Sequence, residues 1–296
     1  MVTIGLPFFN NESSLLDTIR SVFAQTYQDW ELILVDDGSS DRSLELARTI
    51  RDERVRLFSD GENKGLARRL NEIADYARGD LMLRLDADDL MHPTRAARIV
   101  EYFRTNPNAD AVFSGAYVID ESGEVTGFQP VVERHTVQEV LRKFFACHPT
   151  LAGTTRWARA NPYPARTKRA EDLDLWCKCF PTTRFEYITD PLYYCRIQSD
   201  YSLRKYAATA NDHCRVILSY GPDMLGLPST CYLLARAQLK TLIHGAARLV
   251  GLNALSARRS VAPVTSRVRE DEHHIIADML ALQLPSAATT GVPCAF

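Results

Sequence analysis

The sequence predicts an α/β protein with a mostly parallel β-sheet flanked by helices and with a helical C-terminal appendage. Over the first 114 residues, short apolar segments alternate with helical patterns, which favours parallel strands joined by right-handed crossovers. Two of the apolar segments run directly into clusters of aspartates. Ligands of open α/β sheets bind at the C-terminal ends of strands, so these clusters indicate a binding site. Beyond about residue 205 the pattern is helical.

The elements of the first 114 residues are predicted in order from apolar periodicity and from turn residues. The predicted strands are Val2–Leu6, Glu31–Val35, Val55–Phe58, Leu81–Leu85 and Ala111–Ser114. The predicted helices are 11–25, 41–50, 65–77 and 93–104. Asn10 or Asn11 can cap the first helix, and Ser40 or Asp41 can cap the second.

After residue 114 the signals become shorter and mixed. A hairpin is predicted at Tyr117–Ile119 and Val125–Phe128. Helices are predicted near Val137–Phe145 and from about Glu171. Tyr187–Ile197 is predicted to be extended, with a break at Pro191. The last stretch, from about Pro285, consists mostly of small residues, and we expect it to be loose.

Size and composition limit the class of protein. The 296 residues fit one large domain or a domain with an appendage, and a hydrophobic content of 46% is sufficient for a core. The net charge of −2 argues against extended contact with nucleic acid. The seven cysteines lack zinc-site spacing, and no signal peptide or membrane-spanning stretch is evident. We therefore expect a cytoplasmic protein, or one at the inner face of the membrane.

The most informative motif is the acidic segment Asp86-Ala87-Asp88-Asp89, which follows the apolar strand Leu81–Leu85. Like charges at one strand end repel unless a cation lies among them. Mg²⁺ and Mn²⁺ favour carboxylate oxygens and keep water or substrate phosphate in their shell, so one or two aspartates suffice. The alternative is a solvated turn that caps the next helix, which would be enough to explain Asp89. For Asp88 we favour the metal interpretation.

Two further segments carry polar groups near the same predicted sheet edge. Asp36 and Asp37 end the second strand, where a carboxylate can accept hydrogen bonds from a base or a ribose. Turn-and-cap chemistry is enough to explain Ser40 and Asp41, whereas the common sheet edge with Asp86 favours the ligand interpretation of the segment. Asn63-Lys64-Gly65 precedes a helix with Arg68 and Arg69, which suits an anionic ligand or simply a solvated face.

A third acidic segment, Glu171-Asp172, opens a predicted helix that carries Trp176. Acidic residues in a first turn interact favourably with the helix dipole. A carboxylate that faces an acceptor hydroxyl would also serve as a general base. From the residues alone, both interpretations stand.

Taken together, these segments resemble the family-2 glycosyltransferases of the GT-A fold, a nucleotide-diphospho-sugar transferase-like fold, over roughly the first 200 residues. The order and spacing of four segments carry the resemblance, namely Thr3–Asn10 (TIGLPFFN), Val35–Asp41 (VDDGSSD), Leu85–Asp89 (LDADD) and Glu171–Trp176 (EDLDLW). The resemblance implies a GT-A catalytic domain over 1–205, with a nucleotide-binding half at 1–114 and an acceptor-binding half at 115–205. A helical C-terminal region at 206–284 and a flexible tail at 285–296 would follow.

The resemblance also implies the chemistry. It implies a nucleotide-sugar donor, most often a UDP-sugar, Mn²⁺ or Mg²⁺ as cofactor, and Asp172 as general base of an inverting transfer to a hydroxyl. The acceptor is expected to be a glycan, a lipid-linked sugar or a small molecule, as in polysaccharide biosynthesis. Asp88 and Asp86 are expected to hold the metal. The expected nucleotide contacts are Pro7, Phe8, Phe9, Asn10, Asp36, Asp37, Asn63, Gly65, Arg69, Asp86 and Ala87.

One segment departs from the family pattern. The family often has Tyr-Arg-x-His near this point, whereas this chain has Cys195-Arg196-Ile197-Gln198. Glutamine is a poorer metal ligand than histidine, so either metal affinity is low or Arg196 and Arg204 hold the diphosphate. The residues expected on the acceptor or diphosphate side are Glu171, Trp176, His148, Arg196 and Gln198. For His148 an ordinary loop position before a proline is the favoured interpretation.

The C-terminal region is basic. Seven arginines and lysines and no acidic residue lie between Asp223 and Glu270, interspersed with leucines. Residues 232–269 would therefore suit a basic amphipathic helix on an anionic membrane. A helix packed on the catalytic domain or in a homodimer is the alternative, and we favour it.

Two other functions compete with single-sugar transfer. Nucleotidyl transfer uses similar acidic clusters, but it requires a glycine-rich phosphate loop, which the segment Pro7–Asn10 is not. A non-catalytic nucleotide-sugar-binding protein would not need Asp86, Asp88 and Asp172 together.

Overall fold

The computed structural model describes residues 1–142, 147–197, 203–249 and 261–286, with side chains described outside 203–205 and 244–249. The strands are β1 Val2–Phe8, β2 Trp30–Asp36, β3 Val55–Ser59, β4 Leu81–Arg84, β5 Leu90–Met91, β6 Ala111–Ile119, β7 Val125–Gln129, β8 Ala152–Thr154 and β9 Phe185–Arg196. The helices are α1 Leu15–Phe23, α2 Ser43–Thr49, α3 Leu66–Tyr76, α4 Arg95–Thr105, α5 Val137–Arg142, α6 Thr155–Ala160, α7 Glu171–Cys179, α8 Leu203–Leu225, α9 Leu227–Leu249 and α10 Ser266–Leu280. His148–Thr150 forms a 3₁₀ turn.

These strands form one mixed sheet in the order β3-β2-β1-β4-β8-β6-β9-β5, with β7 paired to β6. The half built from β3, β2, β1 and β4 is parallel. In the other half β8 runs antiparallel to β4 and β6, and β9 runs parallel to β6. The predicted α/β class and the mostly parallel N-terminal half are therefore confirmed.

The central strands form because they are buried on both faces. Ile4, Leu6, Leu32 and Leu34 are inaccessible to solvent, as expected for parallel strands covered by helices. Helix α1 covers one face with Leu15, Ile19 and Val22, which recur at helical spacing. This packing brings the C-terminal ends of β1, β2 and β4 to one edge.

The start of the first helix differs from the prediction. Helix α1 begins at Leu15, and neither asparagine caps it. The side chain of Asn10 instead accepts a hydrogen bond from the Ser40 N–H (2.8 Å), and that of Asn11 accepts one from the Phe9 N–H (3.0 Å). Both asparagines therefore fold the loop after β1 rather than the helix.

Two extended segments also differ from the prediction. The predicted strand Ala111–Ser114 and the first arm of the predicted hairpin are one continuous strand, β6. Pro191 does not end β9, because the pairing with β6 shifts register there: Ser114 pairs with Ile188, and Gly115 pairs with Pro191. The shift accommodates the missing N–H of the proline. The short elements β5, β8 and α6 were not predicted.

The C-terminal helices pack on the sheet domain in two places. Helices α8 and α9 cover α5 and α7 through a cluster that contains Val216, Ile217 and Leu233. Helix α10 covers β7 and α1, with Ile276 and Met279 buried. Within the described residues no helix is long and apolar enough to cross a membrane. Most of the predicted tail lies outside these residues.

Candidate active site

A cleft of about 190 Å³ opens at the C-terminal ends of β1, β2 and β4. Its lining combines the predicted nucleotide and metal segments, and it adds Asn11 and Leu66, which the sequence did not single out. The lining residues are Pro7, Phe8, Phe9, Asn11, Asp37, Leu66, Arg69, Asp86, Ala87 and Asp88. Segments separated by up to 80 positions in the chain are thus brought to one place, as the fold class predicts.

Asp37 lies buried at the wall of this cleft, and its carboxylate is fully engaged. It accepts hydrogen bonds from the N–H groups of Lys64 (2.7 Å) and Gly65 (3.1 Å) and from Nε of Arg69 (2.9 Å). Gly65 has a φ of 84°, a conformation that favours glycine and turns its N–H toward the carboxylate. The start of α3 is therefore fixed to the end of β2.

Arg69 is buried and joins three carboxylates. Besides Asp37, its guanidinium donates to Asp60 (2.7 Å) and to Glu72 (2.7 Å). The hydrogen bonds that Arg69 donates to Asp60 and Glu72 raise its pKa far above its ordinary value. Arg69 borders the cleft, and its role in the structure is to hold the loop between β3 and α3.

Asp36, Asn10 and Asn63 lie beside the cleft and shape its walls. Asp36 is almost inaccessible, and it accepts hydrogen bonds from the Ser39 N–H (2.9 Å) and the Ser59 hydroxyl (2.8 Å). Asn10 adopts a left-handed conformation with a φ of 55° and binds the Ser40 N–H. The Asn63 side chain donates to the carbonyl oxygen of Asp37 (3.1 Å). In the structure, these three predicted nucleotide contacts stabilise the loops beside the cleft.

The three aspartates after β4 point in different directions. Asp86 and Asp88 border the cleft, whereas Asp89 is buried and accepts a hydrogen bond from the Arg196 N–H (2.7 Å). Burial and the nearby Cys195 and Asp88 raise the pKa of Asp89 well above its ordinary value. Asp89 therefore connects β9 to the acidic loop, Asp86–Asp89. Its buried side chain is neither at the position of a ligand in the cleft nor a simple helix cap.

Arg84 fixes the side chain of Asp86. The guanidinium donates to both carboxylate oxygens, from Nε (2.8 Å) and from Nη2 (3.1 Å). The Asp86 N–H donates to the hydroxyl of Tyr193 (3.1 Å). The orientation of this carboxylate is thus fixed before any ligand binds.

The metal prediction can be compared with the side chains at hand. No group of three or more His, Cys, Asp or Glu side chains converges on one point within the described part of the chain. The carboxylates that border the cleft are Asp37, Asp86 and Asp88. Asp37 accepts four hydrogen bonds, which is about the full acceptor capacity of a carboxylate. Asp86 accepts two from Arg84, so Asp86 and Asp88 fit Mg²⁺ or Mn²⁺ when water and substrate phosphate complete the shell.

Asp172 lies in the first turn of α7 and is about one-third exposed (35%). One carboxylate oxygen accepts a hydrogen bond from the Leu173 N–H (2.7 Å), and the other lies 3.9 Å from Nδ1 of His148. Its neighbour Glu171 is buried, and burial together with the charge of Asp172 raises the pKa of Glu171 to about 7. The two acids therefore differ in exposure.

A buried chain of contacts connects the two ends of the site. Arg84, which holds Asp86, also contacts both ring nitrogens of His148. The hydroxyl of Tyr163 lies 2.9 Å from Nε2 of the same ring. Burial and the charge of Arg84 lower the pKa of His148 well below its ordinary value, so the ring is neutral at pH 7. His148 is therefore a buried residue that connects Arg84 and Tyr163. The sequence had favoured an ordinary loop position, and that prediction is wrong.

Sequence reasoning missed Arg84 and Tyr163. A signal for Arg84 was present, because it is a charged residue inside the apolar segment Leu81–Leu85. Tyr163 lies in an irregular segment and had no local signal.

The remaining predicted residues lie away from the open cleft. Trp176 is buried against Phe113 and Phe185, and its ring meets His148 edge-on at 5.3 Å. Arg196 donates to the carbonyl oxygens of Asp88 (3.0 Å), Asp120 (2.8 Å) and Glu121 (3.0 Å). It therefore connects the acidic loop to the turn between β6 and β7. Gln198 and the side chain of Arg204 lie outside the described residues.

A mixed sheet with a parallel half, flanked by helices and with aspartates at the C-terminal ends of its strands, is the architecture of the GT-A glycosyltransferases. The chain belongs to glycosyl transferase family 2, whose sequence model matches residues 3–164. It is therefore an enzyme of that family, for which an inverting mechanism is inherent. Membership of this family argues against nucleotidyl transfer and against a purely binding role.

Three known proteins show the extent of the similarity. EpsE of Bacillus subtilis (strain 168), which carries the name of a glycosyltransferase, is 31% identical over 78% of this chain and 85% of its own length. S. aureus TarS 1–349, solved with UDP-GlcNAc, aligns over 80% of this chain and 71% of its own, with a TM-score of 0.57 and 18% identity. The mannosyltransferase PcManGT of Pyrobaculum calidifontis, solved with GDP-Man and Mn²⁺, covers 95% of this chain and 85% of its own, with a TM-score of 0.54 and 19% identity.

Proposed function

We propose that this protein is a metal-dependent inverting glycosyltransferase that moves one sugar from a UDP-sugar to a hydroxyl of a glycan, a lipid-linked sugar or a small molecule. The observation that carries the proposal is the buried connection from Asp86 through Arg84 and His148 to Asp172. It joins a carboxylate suited to the donor with one suited to the acceptor. The nucleotide sugars bound to TarS and PcManGT support the donor class.

The donor half of the proposed site comprises β1, β2, α3 and the acidic loop. The nucleoside would lie between the loop after β1 and the wall that Asp37 fixes, where Phe9 presents an exposed ring. The diphosphate would lie toward Asp86 and Asp88. Prearranged groups of this kind favour binding because little side-chain freedom is lost when the donor arrives.

Asp86 and Asp88 would hold the divalent cation, Mn²⁺ or Mg²⁺. When bound, such a cation supplies positive charge that stabilises a leaving diphosphate. Asp86 has its orientation fixed by Arg84, and Arg196 fixes the backbone of Asp88. These contacts hold both residues at the cleft.

Asp172 is the proposed general base. Its carboxylate would accept the proton of the acceptor hydroxyl while that oxygen attacks the anomeric carbon on the face opposite the leaving group, which inverts the configuration. The neutral imidazole of His148 lies 3.9 Å from the carboxylate and forms no ion pair with it. Glu171 is too buried for this role, and the exposed position of Asp172 suits an acceptor that arrives from solvent.

We also propose the division of the chain into a donor half at 1–114, an acceptor half at 115–205 and a helical region at 206–284. Helix α7, which carries Asp172, belongs to the acceptor half, and α8 packs directly on it. A cytoplasmic location is part of the proposal. It is supported by the six cysteines in the described residues, none of which forms a disulfide.

Thermal unfolding with ligands tests the proposal. UDP with Mn²⁺ is expected to raise the melting temperature of the wild-type protein, because a ligand that binds the folded state stabilises it. Asp88→Ala is expected to remove the metal-dependent part of this shift, and Asp190→Ala, on the exposed part of β9, is the matched control. A screen of nucleotide sugars for slow hydrolysis then identifies the sugar. The donor assignment fails if neither UDP nor GDP shifts the melting temperature at saturating concentration.

A further inference from the structure

Helix α9 is apolar on two faces. The inner face carries Thr230 and Leu233, which are buried. It packs on α8, where Leu233 belongs to the cluster that contains Val216 and Ile217, and α8 in turn packs on α5 and α7. Within the described residues, the outer face is exposed.

The outer face carries large apolar side chains that are open to solvent. Tyr232, Leu239, Leu242 and Ile243 are 65%, 57%, 70% and 56% exposed. With about 3.6 residues per turn, these positions fall within roughly a quarter-turn of one another, on a side of the helix different from that of the buried Leu233. We call these four residues the outer stripe. Exposed apolar groups of this size on one helix face mark an interaction site.

The charge around the outer stripe is positive. Arg236 and Lys240 are exposed on the same helix, next to the stripe. No acidic residue occurs between Asp223 and Glu270, so nothing on this helix neutralises them. An apolar stripe bordered by cations is complementary to the surface of an anionic bilayer, where leucine and tyrosine side chains enter the headgroup boundary and cations meet lipid phosphates.

A second copy of the chain fits this surface less well. Two-fold pairing would place stripe against stripe and bring the arginines and lysines of both helices together. The helix offers no carboxylate to pair with them, and like charges in contact disfavour association.

From this combination of exposed apolar groups and unneutralised charge, we propose that the outer stripe of α9 docks the enzyme on the surface of an anionic membrane. The inner face of the same hairpin packs on α7, the helix of Asp172. Docking therefore places the acceptor half next to the bilayer, and a lipid-linked acceptor is the substrate class that this arrangement serves. The choice of acceptor rests on the proposed function, whereas the docking does not.

Vesicle co-sedimentation of the full chain tests the docking. The wild-type protein is expected to sediment with phosphatidylglycerol vesicles at low salt and not with phosphatidylcholine vesicles. Leu239→Ser/Leu242→Ser is expected to weaken binding roughly tenfold or more, because two leucines that would enter the headgroup boundary of the bilayer are lost. Arg236→Gln/Lys240→Gln is expected to weaken it by about fivefold per charge at low salt, with a smaller effect at high salt.

Matched controls separate docking from general surface effects. Leu282→Ser and Arg156→Gln remove an exposed apolar group and an exposed cation elsewhere and are expected to leave sedimentation unchanged. Donor hydrolysis in solution is expected to be equal in all variants, so a failure of docking and a failure of the proposed function are distinguishable. Absence of sedimentation with anionic vesicles overturns the proposal. A wild-type dimer that Leu239→Ser/Leu242→Ser dissociates also overturns it, since the stripe would then bind a second copy.

Discussion

The side chain of Arg84 organises more of the candidate site than any residue that the sequence singled out. It is almost fully buried, and its charge is balanced by Asp86, with which it forms two hydrogen bonds. A buried charge of this kind is expensive unless it is paired, and loss of one partner leaves the other uncompensated. Arg84 therefore makes the geometry of Asp86 depend on the same contacts that orient His148.

At Asp172 the account predicts a separation of binding from chemistry. Asp172→Asn is expected to reduce transfer by about 10²–10⁴-fold, because the amide cannot accept the acceptor proton. The stabilisation by UDP and Mn²⁺ is expected to remain. Single-turnover transfer and thermal shift are the two measurements. Glu45→Gln, in the first turn of α2, is the control for a helix-dipole effect, and undiminished turnover by Asp172→Asn excludes it as the base.

Glu171 predicts a pH dependence of stability. Its pKa of about 7 in the folded protein lies above the ordinary value, so the folded state binds this proton more tightly than the unfolded state. The stabilisation is complete at pH values below about 4 and is lost as the pH rises through about 7. Glu171→Gln is therefore expected to raise the free energy of unfolding, relative to wild type, by more at pH 8 than at pH 5. An equal effect at both pH values in urea titrations contradicts the assignment.

Some residues of the site could be predicted from the sequence and others could not. Asp37, Asp86 and Asp88 end apolar strands, and the topology of a parallel sheet carries such ends to one edge. The contact between His148 and Asp172 depends on how the 3₁₀ turn meets α7, which no local pattern specifies. The buried position of Trp176 likewise follows from packing against Phe113, far away in sequence.

At the scale of elements, the junction between β2 and α3 depends on a glycine. Gly65 has a positive φ and open space around its Cα, so Gly65→Ala costs backbone strain of about 1 kcal/mol without a clash. Its N–H also binds Asp37. The variant is therefore expected to weaken UDP binding as well as stability.

Gly61 provides the matched control for this prediction. It has a φ of 77° and open space as well, and it lies in the loop before Gly65. Gly61→Ala is expected to cost similar stability and to leave the UDP affinity, measured by calorimetry, at the wild-type value. Equal losses of affinity in both variants contradict a specific role of the Gly65 contact.

Helix α10 is an element whose packing the sequence did not reveal. Ile276 is buried against β6 and β7, and Glu272 accepts a hydrogen bond from the hydroxyl of Tyr194 (2.6 Å). Ile276→Ala is expected to lower the free energy of unfolding by about 2–4 kcal/mol through lost burial and a cavity. Its neighbour Ile275 is partly exposed, and Ile275→Ala is expected to cost much less in the same denaturant titration. Equal costs would mean that α10 does not pack as described.

The strand pattern of the first half could be predicted because each strand is a short apolar run with its own turn signals. The second half was less predictable, because β8 and β5 contain three and two residues and are defined by their partners. The full length of β9 was not predicted, because a proline is expected to interrupt a strand. In the structure, a shift in the pairing with β6 accommodates Pro191. Short and irregular elements of this kind depend on tertiary contacts rather than on local preference.

The whole molecule consists of three connected parts, each with a proposed function. The parallel half-sheet supplies the donor cleft, the mixed half-sheet and α7 supply the proposed base, and the α8–α9 hairpin supplies the surface proposed for membrane docking. Part of the predicted basic region, residues 250–260, lies outside the described residues. In the described part, α9 packs on α8 with one face and has exposed apolar residues on another.

The most direct test of the central claim is a crystal structure of the Asp172→Asn variant with UDP and Mn²⁺, with the metal located by its anomalous scattering. The account predicts a manganese peak at Asp86 and Asp88, with the diphosphate in contact with it and the uridine in the cleft bordered by Phe9 and Asp37. A well-ordered cleft without manganese at these two aspartates, or UDP bound elsewhere, would contradict it.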